Sequence, residues 1–434
     1  MPSIAIPLSL RGQLLSGSRF EPSRLFSANE PGVWYDPSDL STMFQDRAGT
    51  IPVTAPGQSV GKRLDKSGRG NHAVANSDAA RGIYGIEPLG GRRNLLTYTE
   101  QFDNAAWNAR WGGYATITPN DPTFLAPDGT QTVDRVTATL GGSGVGQAVT
   151  LTSGVTYTFS CWVNSPTNVA ELRIATLAVG GGQVAVIAIP PSASLTRASL
   201  TYTPTVTQTY YVGVGNSVAL QTVYVWGAQL ETGSTATAYQ KVVSQYEVTE
   251  AGKPTLHYVQ YDGVDDGYVT PTITPSTDKV QVFAGVRKLS DAVAGVIAET
   301  STATASNNGS FYLANQTTTN NFQFFTRGTA NADIKYTAVS GPETAILFSS
   351  ADFSQATVSE ELQARKNGVA DGVKAGTAST GNFLAYPLYI GRRGGTAFPF
   401  NGRDYGLIVR FGSNLSAETI AATETWLNSK TGAY

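Results

Sequence analysis

Three carboxylates lie within five residues of one another in the second half of the sequence, at Asp262, Asp265 and Asp266. Calcium takes roughly six to eight oxygen ligands, so an oxygen-rich loop of this kind could bind it. The same residues are typical of a tight turn, because Asp accepts hydrogen bonds from its own backbone and Gly263 tolerates positive φ. The spacing is not that of an EF-hand, so a turn is the favoured interpretation and a structural calcium site is the alternative.

Aromatic side chains near polar residues form a second group of candidates. Aromatic rings stack on the faces of sugars, while Asn, Gln, Arg and Asp order the hydroxyl groups. One such group lies in a Gly-rich stretch and another follows a pair of arginines between glycines. Tyr and Trp are more often half-buried sandwich residues than ligand platforms, so a structural role is the alternative for each aromatic residue. The candidate ligand-binding residues are Trp107, Trp111, Tyr114, Arg392, Arg393 and Phe398.

The sequence gives less support to a catalytic site than to a binding site. Residues 57–61 match G-x-S-x-G, but a nucleophile elbow needs a strand before it and a helix after it, whereas Pro52 and Pro56 precede this segment. The two histidines, His72 and His257, lie in no recognised triad context. A glycosidase needs two carboxylates facing each other across a sugar, and a sequence does not show that separation. The acidic candidates are Asp352, Glu360 and Glu361. We therefore expect this protein not to be an enzyme.

The charge balance excludes several partners. The 434 residues include 30 Lys and Arg against 32 Asp and Glu, a formal net charge of -2 at pH 7. No charge excess exists to attract nucleic acid or an anionic membrane. The opening MPSIAIPLSL lacks the basic start of a signal peptide and the length of a membrane span, so we expect no signal peptide and no membrane insertion. The single cysteine, Cys161, excludes an internal disulfide and a Cys-rich zinc site.

Alternating apolar and polar residues recur between clusters of Gly, Pro, Asn and Thr, whereas long helical periodicity is nearly absent. In residues 155–163 every second residue is apolar, which predicts a strand with Cys161 in the core. Many such segments without intervening helices predict an all-β chain of two antiparallel β-sandwiches of jelly-roll type. The other predicted strands are residues 183–189, 210–214, 222–230, 279–287, 322–326, 389–392 and 405–411.

Both ends of the chain differ from this pattern. A short C-terminal helix is predicted, since Ser416 can cap its first amides and Gly432 is typical of a helix end. The residues that would dock this helix on a sheet are Ile420, Trp426 and Leu427. Residues 1–30 contain several prolines and no sustained period, which predicts an extended arm that orders against a partner chain. A disordered end is the alternative for the arm.

Residues 94–107 (NLLTYTEQFDNAAW) and 223–242 (VYVWGAQLETGSTATAYQKV) carry a family resemblance. The sequence here resembles the carbohydrate-binding-module-like jelly rolls of bacteriophage tail and virion proteins. The resemblance implies a jelly roll over residues 94–242. It also implies a structural calcium held by Glu100 and Glu231, two carboxylates that a solvated role would explain equally well.

Segments on either side resemble concanavalin A-like, laminin-G-like sandwiches of phage tail proteins. These segments include residues 33–46, 64–73 with the motif LDKSGRGNHA, 261–269 and 400–409. The economical interpretation is one discontinuous sandwich, residues 31–93 and 243–434, with the jelly roll inserted into a loop. In the alternative, residues 31–93 form a small separate module, and a contact between Trp34 and the C-terminal half would distinguish the two.

Together the two resemblances imply a bacteriophage virion structural protein. The function they imply is that of a tail fibre or receptor-binding protein that adheres to host cell-surface glycans, made in the bacterial cytoplasm and located on the phage particle. A homotrimer is expected by analogy with phage fibres, with the N-terminal arm contacting other virion proteins. The alternative is a non-adhesive head or tail decoration protein, and a polysaccharide-degrading tailspike ranks below both.

Overall fold

The computed structural model describes residues 20–109, 111, 115–138, 140, 142–178, 182–216, 221–394 and 396–434. Strands dominate these residues, and nearly every strand pair is antiparallel. The all-β fold predicted from the alternating pattern is confirmed. No helix among the described residues is long and apolar enough to cross a membrane.

The strands are numbered in chain order. The first are β1 (Gly32–Tyr35), β2 (Met43–Phe44), β3 (Lys62–Arg63), β4 (Ala73–Ala75), β5 (Ile83–Pro88), β6 (Ala115–Thr118), β7 (Asp134–Ala138), β8 (Gly144–Leu151), β9 (Tyr157–Asn164) and β10 (Ala170–Ala175). The next are β11 (Gln183–Ile189), β12 (Thr196–Tyr202), β13 (Gln208–Asn216), β14 (Thr222–Thr232), β15 (Gln240–Ser244), β16 (Glu247–Glu250), β17 (Thr255–Asp262), β18 (Tyr268–Ile273), β19 (Lys279–Lys288) and β20 (Gly295–Thr300). The last are β21 (Ser310–Asn315), β22 (Phe322–Arg327), β23 (Asn331–Lys335), β24 (Glu343–Asp352), β25 (Leu362–Lys366), β26 (Val369–Ala370), β27 (Val373–Gly376), β28 (Tyr386–Ile390) and β29 (Asn401–Phe411). The helices with both ends in the described part of the chain include the 3-10 helices Pro22–Phe26 and Leu40–Thr42 and the α-helices α1 (Val358–Glu361) and α2 (Ala417–Thr431).

The chain divides into two compact units. The described part of the first unit lies within residues 20–54, 58–84 and 258–434, and that of the second lies within residues 55–57 and 85–257. The first unit is therefore discontinuous in sequence, and the second unit falls between two of its segments.

Two sheets build the first unit. One has the strand order β17-β29-β19-β24-β25-β26, with β1 also paired to β29. The other has the order β2-β3-β4-β18-β28-β20-β21-β22-β23-β27. Trp34 packs edge-on against Trp426 with ring centroids 5.8 Å apart. The segment that begins near Trp34 therefore shares a core with the C-terminal helix.

The described part of the predicted N-terminal arm lies in this unit too. Leu25 and Phe26 are buried in the cluster that contains Trp34 and Trp426. Arg410 on β29 donates from Nε to the carbonyl oxygen of Leu25 at 2.7 Å. The rest of the arm, residues 1–19, lies outside the described residues, and an attachment role for it stays a prediction.

The LDKSGRGNHA motif forms a tight loop in the first unit. The Asp65 carboxylate accepts hydrogen bonds from the backbone N–H groups of Trp34 at 3.0 Å and Ser67 at 2.8 Å. A third bond comes from the N–H of Asn71 at 3.0 Å. One buried side chain thus satisfies three backbone donors, which explains the Asp and its small neighbours by local structure.

The second unit contains two facing antiparallel sheets, β11-β10-β13-β8 and β12-β9-β14-β7-β6, and a β15–β16 hairpin. The apolar face predicted for residues 155–163 points inward, since Phe159, Cys161 and Val163 are all buried in the core cluster. Burial raises the pKa of the Cys161 thiol to about 12. Cys161 is therefore a core residue.

Helix α2 follows the predicted pattern. The Ser416 hydroxyl accepts the N–H of Thr419 at 3.2 Å, and Gly432 ends the helix in a left-handed conformation at φ 58. The predicted docking residues Ile420, Trp426 and Leu427 are buried. A Cβ on Gly285 of β19 would approach the Leu427 side chain to 3.3 Å, so a glycine at this position permits close packing of helix on sheet.

Candidate functional site

A row of side chains crosses the outward face of the β2–β27 sheet. Directly opposed residues on antiparallel strands lie on the same face of a sheet, so the strand register identifies them. Neighbours along the strands, such as Leu388, Leu313 and Phe324, are buried in the core, and the row therefore faces away from it. The row consists of Lys62, Val74, Val269, Tyr389, Glu299, Tyr312, Phe325 and Asp333.

An ion pair lies at the centre of this row. Glu299 is 0% exposed and accepts hydrogen bonds from Nε of Arg393 at 3.0 and 2.8 Å. Thr304 donates a further bond to Glu299 from its hydroxyl at 2.6 Å. A buried carboxylate needs such partners. The pairing places the Arg393 guanidinium 5.3 Å from the Tyr312 ring centroid and 4.7 Å from that of Phe398.

Tyr312 forms the floor beside this ion pair. Its ring stacks on Phe325 with centroids 5.0 Å apart and an interplanar angle of 5°. Burial raises the pKa of Tyr312 to about 12, although the positive charge of Arg393 opposes the rise. The hydroxyl therefore keeps its proton near neutral pH, and it donates to the Gln323 side chain at 3.0 Å.

Phe398 is an exposed aromatic residue in an unusual backbone conformation. Its φ is 51 and its side chain is 44% exposed. The left-handed region costs a non-glycine residue about 1–2 kcal/mol, so the surrounding structure must impose it. The carbonyl oxygen of Phe398 accepts the N–H of Val296 at 2.9 Å, and the N–H of Arg393 donates to the oxygen of Ala397 at 2.8 Å. The loop thus presents the ring to solvent at a fixed position.

These groups surround a shallow pocket of about 120 Å³. Its lining includes Gly295, Tyr312, Gln316, Arg393 and Phe398. Neither Nη of Arg393 donates a hydrogen bond to another described residue, so these donors remain for a ligand. The pocket combines aromatic faces with amide and guanidinium donors, a chemistry suited to a sugar hydroxyl face.

The structure brings together two of the predicted ligand residues, Arg393 and Phe398. Arg392 lies beside them, but its guanidinium donates to the carbonyl oxygens of Asp265 and Thr396, each at 3.0 Å. Arg392 therefore fixes the loop between β28 and β29. Tyr312 is part of the same pocket and was missed from the sequence, because only the β20–β21 register places it opposite Glu299.

The structure corrects the ligand-binding role predicted for the two tryptophans of the second unit. Trp107 is 0% exposed and donates from Nε1 to the oxygen of Tyr98 at 2.8 Å. Trp111 is 2% exposed and donates to the oxygen of Leu177 at 3.0 Å. Neither ring has a face open to a ligand, so burial removes both from the ligand-binding candidates. Tyr114 lies outside the described residues.

The Asp262, Asp265 and Asp266 carboxylates offer oxygens within 4.8 Å of one another, the one such acidic group of three in the described part of the chain. Asp262 accepts the N–H of Val264 at 2.7 Å and that of Asp265 at 3.2 Å, as in the favoured turn interpretation. Burial raises the pKa of Asp266 to about 7, and the neighbouring negative charges add to the rise. These three residues would supply the ligands if calcium binds, and calcium binding stays a prediction.

Glu100 and Glu231 are both buried in the second unit and have protein partners. Glu100 accepts from Nζ of Lys241 at 2.7 Å and from the hydroxyl of Tyr239 at 3.1 Å. Glu231 accepts from the N–H of Thr237 at 2.8 Å. These donors account for the carboxylates without a metal ion, and the calcium role implied by the resemblance stays untested.

The acidic residues considered for catalysis have structural partners as well. Asp352 forms an ion pair with Lys279 at 3.0 Å and accepts from the amide of Asn414 at 2.8 Å. Glu361 is buried and accepts the N–H of Ser379 at 2.5 Å. These partners give Asp352 and Glu361 structural roles, and the expectation that the protein is not an enzyme stays a prediction.

No protein-family model and no curated protein sequence matches the chain. Among solved structures, it is similar to the CBM40 domain of Ruminococcus gnavus IT-sialidase bound to alpha2,6 sialyllactose, at 16% identity over 34% of this chain and 84% of that one, with a TM-score of 0.27. The same domain bound to alpha2,3 sialyllactose matches at 18% identity over 34% and 83%, with a TM-score of 0.27. The CBM22-1-CBM22-2 tandem domain of Paenibacillus barcinonensis Xyn10C matches at 9% identity over 74% and 98%, with a TM-score of 0.24.

Proposed function

We propose that this protein binds carbohydrate through the pocket formed by Tyr312, Arg393 and Phe398. The observation that carries the proposal is the Phe398 ring, which is 44% exposed and fixed in a left-handed backbone conformation next to the Arg393 guanidinium, whose Nη groups bond no other described residue. Strain of this kind persists where the surroundings impose it, and it concentrates at functional sites.

In this proposal a sugar ring stacks on Phe398. The Nη groups of Arg393 donate to its hydroxyls, and the side-chain amide of Gln316 donates to them or accepts from them. Because Glu299 balances the charge of Arg393, the pocket favours neutral hydroxyl groups over a second charged group. A pocket of about 120 Å³ covers only part of one sugar, so affinity at a single site is weak and several copies must act together.

We further propose a biological role for this binding. The carbohydrate belongs to a bacterial host surface, and the protein is a receptor-binding component of a phage particle. The sequence resemblance in residues 94–107 and 223–242 supports this role. A homotrimer would multiply the weak sites, and the N-terminal arm would attach it to other virion proteins. Adhesion requires no reaction at the pocket.

The test is retention of the protein on an array of defined bacterial surface oligosaccharides, neutral and acidic. We expect Phe398→Ala to weaken binding about tenfold, because the stacking face is lost. Val373→Ala, which removes an exposed apolar side chain from β27 of the same sheet, should leave binding unchanged. Retention of no oligosaccharide, or equal retention of Phe398→Ala and wild type, would overturn the proposal.

A second candidate is the non-adhesive decoration protein. The edge strand β11 favours it, since Val184, Val186 and Ile187 are exposed there and none of the seven residues of β11 is charged. Such an edge suits contact with another protein chain. The two candidates separate in a cell assay, because an adhesin added in excess blocks phage adsorption to host cells, whereas a decoration protein leaves adsorption unaltered.

A further inference from the structure

A second concavity lies on the same outward sheet face, at the strands β3, β4 and β18. This groove has a volume of about 500 Å³. Its floor is apolar, formed by Val74, Ala75, Val269 and Pro271. Its rim is polar, and the residues there are Arg47, Lys62, His72 and Asn76.

The rim carries positive charge without compensation from its own lining. Arg47 and Lys62 are cations, and no Asp or Glu is among the described residues that line the groove. Arg47 donates from Nε to the oxygen of Ala75 at 2.9 Å, which holds its side chain at the rim. Such a lining complements an anion.

Two neutral hydrogen-bond donors, on Asn76 and His72, lie beside the charged groups of the groove. The Asn76 amide nitrogen is buried and has no hydrogen-bond partner among the described residues. A buried donor without a partner is costly, and a ligand oxygen would satisfy it. Nδ1 of His72 accepts the N–H of Asp65 at 3.0 Å, so the proton of the neutral ring is on Nε2, which is then a donor.

The groove and the Phe398 pocket lie along one line across the sheet. Val269 of the groove is opposite Tyr389, Tyr389 is opposite Glu299, and Glu299 is opposite Tyr312. Three strand-to-strand steps of about 4.8 Å separate β18 from β21, a distance of roughly 14 Å. An extended oligosaccharide can therefore reach both places, with the half-buried Tyr389 ring between them.

We propose that the groove binds the carboxylate of an acidic sugar residue in the same carbohydrate chain that stacks on Phe398. The carboxylate pairs with Lys62 and Arg47 and accepts from the Asn76 amide, while the sugar ring covers Val74 and Val269. This inference rests on the proposed carbohydrate-binding function and adds a preference for acidic carbohydrates.

In the first experiment, the NMR signals of groove residues are recorded during a titration with glucuronate. A separate titration with glucose at the same concentrations is the comparison. We expect glucuronate to shift the Asn76 side-chain amide and His72 ring signals and glucose to leave them in place. Lys62→Gln should weaken the glucuronate response about tenfold, because a charge-assisted hydrogen bond is lost. Lys335→Gln removes the same charge from an exposed position on β23 of this sheet and should leave the glucuronate response unchanged.

The second experiment compares Lys62→Gln and Phe398→Ala on the oligosaccharide array. Loss of the preference for acidic glycans in Lys62→Gln, with neutral glycans still retained, supports the groove. No response of Asn76 to glucuronate, or equal responses in wild type and Lys62→Gln, overturns the groove while the Phe398 result stands separately. If Phe398→Ala keeps full retention while glucuronate still shifts Asn76, the proposed function fails and the carboxylate site remains.

Discussion

Aromatic residues in Gly-rich segments occur in both units, but the ring is exposed in the first unit and buried in the second. In the first unit Phe398 projects into solvent from a loop held at positive φ. In the second unit Trp111 is buried over β8, where a Cβ on Gly146 would approach its ring to 2.7 Å. The glycine beside Trp111 creates space for the ring, whereas the loop around Phe398 pushes its ring outward. An aromatic residue in a Gly-rich segment is therefore a core residue in one unit and an exposed ring in the other.

The second unit repeats this inward arrangement elsewhere. Trp226 packs edge-on against Trp162 at 5.1 Å, and Tyr239 packs on Trp226 at 4.8 Å. The guanidinium of Arg197 covers Trp162, 4.5 Å from its ring centroid. These aromatic residues of the second unit thus contribute packing, whereas on the outward face of the first unit Tyr312 is half-buried and Phe398 is exposed.

The largest expected effect tests the buried side of this comparison. Trp107→Ala should lower the free energy of unfolding of the second unit by about 3–5 kcal/mol, because the ring packs on Phe102 at 4.4 Å and leaves a cavity. Chemical denaturation measures the loss, and Trp107→Phe should lose less. A loss below about 1 kcal/mol would contradict the structural role of Trp107.

A buried carboxylate of the second unit gives the next effect. Burial raises the pKa of Asp134 to about 6, although the N–H groups of Asn120 and Phe102 oppose the rise. The unfolded pKa is about 4, so the bound proton stabilises the fold fully below about pH 4 and is lost as the pH rises through 6. This group alone should lower the free energy of unfolding by about 2–3 kcal/mol between pH 4 and pH 7.

The comparison of wild type with Asp134→Asn isolates this contribution from other carboxylates. The free energy of unfolding of wild type minus that of Asp134→Asn, taken from denaturation curves, should fall by about 2–3 kcal/mol between pH 4 and pH 7. Parallel pH dependence in the two proteins would show that Asp134 titrates normally.

The smallest expected effect concerns Phe398, the exposed aromatic residue in this comparison of the two units. Phe398→Gly should be more stable than Phe398→Ala by about 1 kcal/mol, because glycine adopts the left-handed conformation without a Cβ clash. Both variants should lose carbohydrate binding equally. Thermal unfolding of the first unit provides the measurement, and equal melting temperatures would indicate that the loop relaxes when the ring is removed.

Much of the fold follows from local sequence. The strand predicted at residues 183–189 coincides with β11, and the predicted cap Ser416 begins α2. These elements depend on neighbouring residues, whose alternation and capping are visible in one segment. Their boundaries still differ in places, since the segment predicted at 389–392 belongs to a strand that spans Tyr386–Ile390.

Only half of the candidate site could be predicted from the sequence, because the other half depends on the register between paired strands. Arg393 and Phe398 are close in sequence, so their cluster could be predicted. Glu299 and Tyr312 come from strands whose pairing is non-local, and no pattern in one segment shows it. The burial of Trp107 and Trp111 has the same origin, because their covering residues come from distant strands.

The position of β29 has a consequence for how the protein is made. This strand pairs with β1, β17 and β19, yet it contains residues 401–411, near the end of the chain. During synthesis the second unit, complete by residue 257, can fold while the first unit still lacks a central strand. The early segments of the first unit must wait as unpaired strands, so a ribosome pause before residue 411 would leave them exposed to aggregation.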